Sequence, residues 1–143
     1  MTQALCTSFK LEMLAAQHNF AVSGGHTFKV ALFKAAKTLN ATTTAYNSTD
    51  EVPATGTYSA GGFELTRVDP SADGTTGMVT FSGNPQWTGV TIADCTQALI
   101  YNSSQSNKAV AVLDFGGNQA VTAGTFTINL PSATATTALL RFI

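Results

Sequence analysis

The stretch Thr27-Phe-Lys-Val-Ala-Leu-Phe-Lys34 alternates in the way that a β-strand does. Phe28, Val30 and Leu32 fall on one face of such a strand, and Lys29 falls on the other. Further strands are predicted at 63–67, 78–81, 86–93, 96–101, 109–115, 125–130 and 137–143. Short strands separated by Gly, Asn and Pro at these intervals predict an all-β fold, a single antiparallel β-sandwich or barrel-like domain.

Two of these strands are expected to pair with each other. Residues 78–81 and 86–93 flank a Gly-Asn-Pro turn, which favours a hairpin. Within the second strand, Trp87 and Ile92 have opposite parity, so a regular strand would place them on opposite faces. We therefore predict a β-bulge near Gly89 that returns both side chains to one face.

The segments outside the strands are expected to be loops and one helix. Residues 35–53 are rich in Thr, Asn and Ala without periodicity, which predicts a long loop anchored by Tyr46. Residues 69–77 are expected to form a turn-rich break. We divide the chain into an N-terminal helix and arm (1–26) and an antiparallel β domain (27–143), together one compact unit.

The N-terminal arm is expected to contain a short helix that Thr7 or Ser8 caps. A helix at this position packs on its own domain or docks on a partner. Its buried face is expected to carry Phe9, Met13, Ala16 and Phe20.

The composition restricts the classes of function. Charged residues make up only 10% of the 143 residues, and the net charge is −1. Because phosphate neutralisation needs clustered Lys and Arg, we expect no nucleic-acid partner. A hydrophobic share of 44% argues against disorder, and no apolar run is long enough for a membrane helix. So little charge is typical of a surface that is packed against other protein.

Few residues favour a chemical role, and we expect no catalytic residue, cofactor or metal. His18 and His26 have no Asp or Glu at an obvious orienting position. Cys6 and Cys95 lack the spacing of a zinc site, and are interpreted as buried free thiols or, alternatively, as one disulfide.

Two other groups of residues have alternative interpretations. Asp69 and Asp73 begin a calcium-loop pattern, but Thr80 stands where such a loop has Glu, so turn hydrogen bonds account for the same residues. Trp87 and Tyr101, with Tyr46 and Tyr58, could form a sugar-stacking platform, or lie in the core or in an interface.

Several stretches occur along the chain in an order that is informative. They are Phe28-Lys-Val-Ala-Leu-Phe33, Thr42-Thr-Thr-Ala-Tyr46, Asp50-Glu51-Val52, Gly56-Thr-Tyr-Ser-Ala-Gly-Gly62, Trp87-Thr88, Ala98-Leu-Ile-Tyr-Asn102, Leu113-Asp-Phe-Gly116 and Thr122-Ala-Gly-Thr-Phe-Thr-Ile128. Together they resemble a family of small virion structural proteins of tailed bacteriophages and prophages. The resemblance covers about residues 8–143, and one local departure is Gly56-Thr-Tyr58, where the family more often has Gly and Tyr adjacent.

The resemblance implies a particle component without catalytic activity, made in the host bacterial cytoplasm and located in the virion. Small size and low charge favour, within that class, a capsid decoration (cement) subunit that binds the major capsid protein or other virion proteins. Such proteins are commonly small β-rich domains that assemble as trimers on the shell, so the resemblance implies a homo-oligomer, with a trimer favoured. A tail or neck protein and a glycan-binding receptor-recognition module are the alternatives. The interface residues expected are Phe9, Met13, Phe20, Tyr46 and Tyr58, and core packing is an equally good explanation for Phe9 and Phe20.

Overall fold

The computed structural model describes all residues from Met1 to Ile143 and consists of short strands and one helix. All strand pairings are antiparallel, which confirms the predicted all-β fold with a short N-terminal helix. In chain order the elements are β1 (Thr2–Leu5), α1 (Thr7–Leu14), β2 (Phe28–Phe33), β3 (Phe63–Glu64), β4 (Thr66–Arg67), β5 (Ser71–Asp73), β6 (Thr76–Val79), β7 (Phe81–Ser82), β8 (Gln86–Ile92), β9 (Gln97–Asn102), β10 (Lys108–Asp114), β11 (Val121–Thr127) and β12 (Leu140–Phe142).

The core is built on a five-stranded sheet in the order β1-β10-β9-β2-β3. The alternation in β2 predicted one apolar face around Phe28, but Ala31 and Phe33 on the opposite face are fully buried as well. The reason is that the loop 35–53 covers this second face. Tyr46 from the loop lies 6.2 Å from Phe33 and 4.4 Å from Tyr101 between ring centroids, so it anchors the loop as predicted.

Three smaller sheets complete the fold, in the orders β11-β8, β12-β6-β5 and β4-β7. Aromatic contacts join them to the central sheet. Phe81 of β7 lies 5.7 Å from Phe28 of β2, and Trp87 of β8 lies 5.9 Å from Phe63 of β3, between ring centroids. The buried apolar side chains of all the sheets form one continuous cluster.

The predicted β-bulge near Gly89 is confirmed. Gly124 of β11 pairs with Val90 of β8, and Phe126 of β11 pairs with Trp87 of β8. Two residues along β11 therefore correspond to three residues along β8. The extra residue in β8 is accommodated at Gly89, which has a φ of 62° that glycine adopts without a steric cost. Trp87, Val90 and Ile92 are all buried on one face as a result.

The predicted hairpin between 78–81 and 86–93 is wrong. β6 pairs with β5 and β12, β7 pairs with β4, and β8 pairs with β11. The expected break at 69–77 contains β5 and the beginning of β6, which form a hairpin around Gly74. Strands of two to four residues carry too short a pattern to specify their partners, so the nearest turn was a misleading guide.

The N-terminal segment contributes a strand as well as a helix. β1 pairs with β10 and forms one edge of the central sheet, in a stretch for which we predicted no strand. α1 is shorter than expected, because it ends at Leu14 and Ala16 adopts a left-handed φ of 55°. Its N-cap is Cys6 without a side-chain cap bond, so the predicted caps are wrong. Phe20 therefore lies beyond the helix, stacked 4.3 Å from Phe28.

Candidate functional site

Two clusters of polar side chains lie within the fold, and the first contains both histidines. We define the histidine cluster as Glu12, His18, His26, Asn102 and Lys108. Glu12 of α1 accepts hydrogen bonds from two sides: its Oε2 lies 2.8 Å from His18 Nε2, and its Oε1 lies 3.0 Å from Lys108 Nζ of β10. The His18 side chain is completely buried, and the Glu12 side chain is 13% exposed. The carboxylate therefore holds α1 against the central sheet.

Asn102 at the end of β9 joins the two histidines. Its Nδ2 lies 3.0 Å from Nδ1 of both His18 and His26, and its Oδ1 accepts the backbone N–H of Ser104 at 3.1 Å. Because the amide has two hydrogens, it can donate one to each ring. His18 then carries its own proton on Nε2, which is the nitrogen that faces Glu12.

The charge states follow from burial and from these bonds. Burial lowers the pKa of His18 below its usual value, and the hydrogen bond to Glu12 raises it by less. Burial raises the pKa of Glu12, but the hydrogen bonds from His18 and Lys108 together lower it by more, so its pKa lies below the usual range. At neutral pH the cluster contains a neutral His18 and an ionised Glu12.

The expectation that His18 has no carboxylate partner is wrong. The chain reverses direction after α1, where the backbone N–H of Gln17 bonds to the Glu12 carbonyl at 2.9 Å. This reversal brings His18 against Glu12 of α1. The separation of the two residues in the sequence is not one that places side chains side by side on a helix. Both ring nitrogens of His18 are occupied within the fold, so the ring has no free nitrogen to present to a substrate.

The second cluster contains the three tyrosines of the chain, and we define the tyrosine cluster as Tyr46, Glu51, Tyr58, Gly61 and Tyr101. The Glu51 carboxylate accepts hydrogen bonds from the hydroxyls of Tyr46 and Tyr58, both at 2.7 Å, and from the Gly61 N–H at 2.8 Å. Tyr101 donates to the Gly61 carbonyl at 2.7 Å. Glu51 is only 8% exposed.

The tyrosine cluster and the adjacent Val52 also provide hydrogen-bond partners for backbone groups of β2. Beyond β3, the Leu32 N–H of β2 donates to the Tyr58 hydroxyl at 2.9 Å, and the Leu32 carbonyl accepts the N–H of Val52 at 2.9 Å. Burial is the main cause that raises the pKa of Tyr58, and it raises the pKa of Tyr101 to about 12. The hydroxyls therefore remain protonated and donate to the carboxylate, so the cluster fastens the 51–61 segment to the sheet.

Trp87, Tyr101 and both cysteines, the remaining candidates for binding or chemistry, are buried in the fold. Trp87 and Tyr101 are each 2% exposed, so neither presents a ring face on which a sugar could stack. Cys6 and Cys95 are free and buried, and burial raises the pKa of their thiols to about 11 and about 12. The alternative of one disulfide is thereby corrected.

The two aspartates of the calcium-like pattern bond to different parts of the chain. Asp69 accepts the Val22 N–H at 2.8 Å, whereas Asp73 accepts the Ala135 N–H at 2.9 Å. No three side chains of His, Cys, Asp or Glu are arranged to hold a metal ion.

The residues predicted to contact a partner divide into two groups. Phe9, Phe20 and Tyr58 are 1%, 4% and 1% exposed and belong to the core of the chain. This placement corrects their assignment as interface residues, because a side chain buried in its own domain has no surface to offer a partner. Met13 and Tyr46 are partly exposed but pack against the same core. The structure brings Tyr46 and Tyr58 together on Glu51, and Phe9 and Phe20 together near Phe28.

No protein-family model, curated protein or solved structure matches the chain. The single helix is too short to span a membrane.

The surface carries apolar side chains that sequence reasoning missed. Leu11 and Leu14 are 66% and 87% exposed and lie on the outer side of α1, opposite the buried Phe9. Lys10 is the only charged residue of the helix that is also exposed. The sequence pattern indicates this exposure, because the apolar residues at 11 and 14 are outside the helix face that Phe9 and Met13 form.

A cleft of about 440 Å³ lies between residues 52–55 and 91–94. Val52 and Ile92 line it, with Lys34 and Asp94 among its polar residues. Both carboxylate oxygens of Asp94 accept the Ala35 N–H, at 3.1 and 3.3 Å, so this group has a structural role. The cleft contains no histidine, cysteine or tyrosine that could contribute chemistry.

Proposed function

We propose that the chain is a structural protein of a tailed-bacteriophage particle, and specifically a decoration subunit that stabilises the shell by protein–protein contacts. The observation that carries this proposal is the outer side of α1, where Leu11 and Leu14 are exposed to solvent. An exposed apolar helix face in a protein with few charged residues is suited to burial against another protein.

The polar clusters add support to the proposal. The chain has seven basic and eight acidic residues, and the fold uses some of this small number internally. Glu12 and Lys108 pair with each other, and Glu51 is buried under the tyrosines. The surface is therefore even less charged than the composition suggests, which favours an interface poor in Lys, Glu and Asp.

The experiment is to purify the phage particles whose genome encodes the chain and to reconstruct them. A decoration subunit is expected on the outside of the head, in a fixed number of copies per shell protein. Absence of the chain from purified particles would overturn the proposal of a virion protein. Density on the tail or neck alone would overturn the decoration role and favour the alternative placement.

Variants link the particle experiment to the helix. Replacement of Leu11 and Leu14 by Ser is expected to weaken binding to particles that lack the chain, because the apolar contact is lost. Val68→Ser is the matched control, because Val68 is an exposed apolar residue, 39% accessible, in a loop that is not part of α1. Equal binding by both variants would show that the α1 face does not contact the shell.

A further inference from the structure

β1 is an edge strand whose outer side has no partner strand. It pairs only with β10, at one end of the five-stranded sheet. The Cys6 N–H bonds to the Val110 carbonyl at 3.0 Å, and backbone groups alternate in direction along an antiparallel strand. Ala4 and Thr2 therefore face β10 with Cys6, whereas the N–H and C=O groups of Gln3 and Leu5 point away from the sheet.

This edge lacks the charged residues, the proline and the β-bulge that often block pairing with another chain. Its residues, Thr2 to Leu5, are uncharged and include no Pro, and its pairing with β10 has no register shift. The opposite edge of the same sheet is different. β3 has only two residues, carries Glu64, and follows Gly61 and Gly62, whose φ angles of 90° and 77° interrupt an extended strand.

We propose that a second copy of this chain pairs with β1, so that two central sheets join across a two-fold axis. Antiparallel pairing of β1 with itself, centred on Ala4, places Gln3 of one copy opposite Leu5 of the other. That register forms about four backbone hydrogen bonds between the copies. It brings Ala4 against Ala4, a position at which two strands approach closely and small side chains fit.

A second copy is the occupant that the charges favour. Residues close to a two-fold axis face their own copies, so a charge at that position would be repelled by its counterpart. Thr2 to Leu5 avoid this repulsion because they are all neutral. Apolar surface lies near this edge as well: the Gln3 side chain bonds to the carbonyl of Leu139, just before β12, and Phe142 of β12 is 53% exposed.

The proposal concerns the isolated protein and does not depend on its place in a virus particle. Sedimentation equilibrium over a range of concentrations is expected to give twice the chain mass of 14.8 kDa, with dissociation on dilution. A monomer at every concentration would overturn the proposal. A mass of three chains would also overturn it, because pairing across a two-fold axis does not produce a closed trimer.

Gln3→Pro tests the edge directly. Proline removes an N–H that points away from β10, so the native sheet is kept while the contact between copies loses a hydrogen bond in each chain. We expect dimerisation to weaken by about tenfold to a hundredfold. Gln3→Ala is the control, because it removes the side-chain bond to the Leu139 carbonyl and keeps the N–H. Equal weakening by both variants would show that the backbone edge is not the contact.

A charge pair at the two-fold axis provides a test that does not rely on proline. Ala4→Lys and Ala4→Glu should each prevent dimerisation, because like charges would face each other across the axis. A mixture of the two variants should dimerise again, since Lys then faces Glu. A variant that had only lost its fold would not be rescued by mixing. Failure of the mixture to dimerise, with both variants folded, would overturn the register proposed for β1.

Discussion

His18 and Glu12 form a hydrogen bond of 2.8 Å between the His18 Nε2 and the Glu12 Oε2, although no helical spacing relates the two residues. The bond ties the loop after α1 back to the helix itself. Its carboxylate also accepts Lys108 of β10, so one acidic side chain connects the helix, the following loop and the central sheet. The pair of His18 and Glu12, both of which titrate, thus fixes the position of the helix that exposes Leu11 and Leu14.

The first prediction is that the protein loses stability on acidification in two steps. The folded-state pKa of His18 lies below its ordinary value of 6.5, so the unfolded state binds more protons once the pH falls below 6.5. The stability contributed by neutral His18 is therefore complete above that pH and is lost as the pH falls through the folded pKa. Glu12, with a pKa lowered from 4.5, adds a second loss below pH 4.5.

Urea unfolding at a series of pH values measures this dependence. His18→Gln should remove the first loss of stability, the one that protonation of His18 causes, because Gln can still donate a hydrogen bond to Glu12 but does not titrate. The second loss should remain in this variant, since Glu12 keeps its partner Lys108. Identical curves for wild type and His18→Gln between pH 6.5 and pH 4.5 would contradict the prediction.

The second prediction concerns Asn102, whose amide donates to both histidines. Asn102→Asp keeps the oxygen that accepts the Ser104 N–H. It replaces the NH₂ group, which donates to the two histidine rings, by an oxygen that can only accept. Neutral rings with unprotonated Nδ1 atoms would then face an anion, which favours their protonation. We expect the pKa of His18 to rise and the protein to lose about 1–3 kcal/mol at alkaline pH.

Titration of the imidazole NMR signals measures the pKa change, and denaturant unfolding measures the stability. The stability difference from wild type should narrow as the pH falls, because protonated rings can donate to the new carboxylate. Asn102→Ala is the control, which should be destabilised without raising the pKa of His18. An unchanged His18 titration in Asn102→Asp would mean that the amide does not contact the ring.

The third prediction is that Glu51→Gln destabilises the protein by about 1–3 kcal/mol. The carboxylate accepts three hydrogen bonds, two from tyrosine hydroxyls and one from the Gly61 N–H. Gln offers one oxygen, which can keep only the two bonds that Oε1 accepts from Tyr58 and Gly61. Its NH₂ group then takes the place of Oε2, and the Tyr46 hydroxyl loses its acceptor.

Asp50→Asn is a matched control for the loss of one negative charge next to Glu51. The Asp50 backbone has a left-handed φ of 60°, which Asn adopts readily, so its stability should change by no more than about 0.5 kcal/mol. Thermal and urea unfolding of the two variants provides the comparison. Equal stability of Glu51→Gln and Asp50→Asn would show that the buried carboxylate does not fasten the loop.

Local patterns in the sequence predicted those features that depend on neighbouring residues. The opposite parity of Trp87 and Ile92 located the bulge at Gly89, because a strand has a period of two and both side chains are apolar. Tyr46 was identified as the anchor of its loop, since it is the one large aromatic residue among Thr, Asn and Ala. The long strands β9 and β10 were predicted close to their observed bounds.

Contacts between distant residues could not be predicted in the same way. Asn102 meets His26 across 76 residues and His18 across 84, and a single sequence contains no periodic signal at such separations. β1 was missed because four residues at the edge of a sheet show little alternation. The helix pattern extended falsely to Phe20, whose side chain reaches the same core from a loop and therefore imitates the helical face.

The fourth prediction contrasts two glycines that share a left-handed backbone. A Cβ atom on Gly62 would lie 1.9 Å from the Val30 carbonyl oxygen and 2.7 Å from the Ala31 Cα, whereas one on Gly74 would meet nothing within 4 Å. Both substitutions by Ala incur the cost of a positive φ, about 1–2 kcal/mol. Gly62→Ala must in addition separate β3 from β2, so its loss of stability should be about 3 kcal/mol or more.

Unfolding of Gly62→Ala and Gly74→Ala measures that difference, and the single tryptophan reports where it arises. Phe63 follows Gly62 and packs 5.9 Å from Trp87 between ring centroids, so displacement of β3 should expose the buried indole to water. Its fluorescence emission should then shift to longer wavelength in Gly62→Ala and stay unchanged in Gly74→Ala. Equal stability and equal emission in the two variants would mean that β3 does not approach β2 as closely as the structure places it.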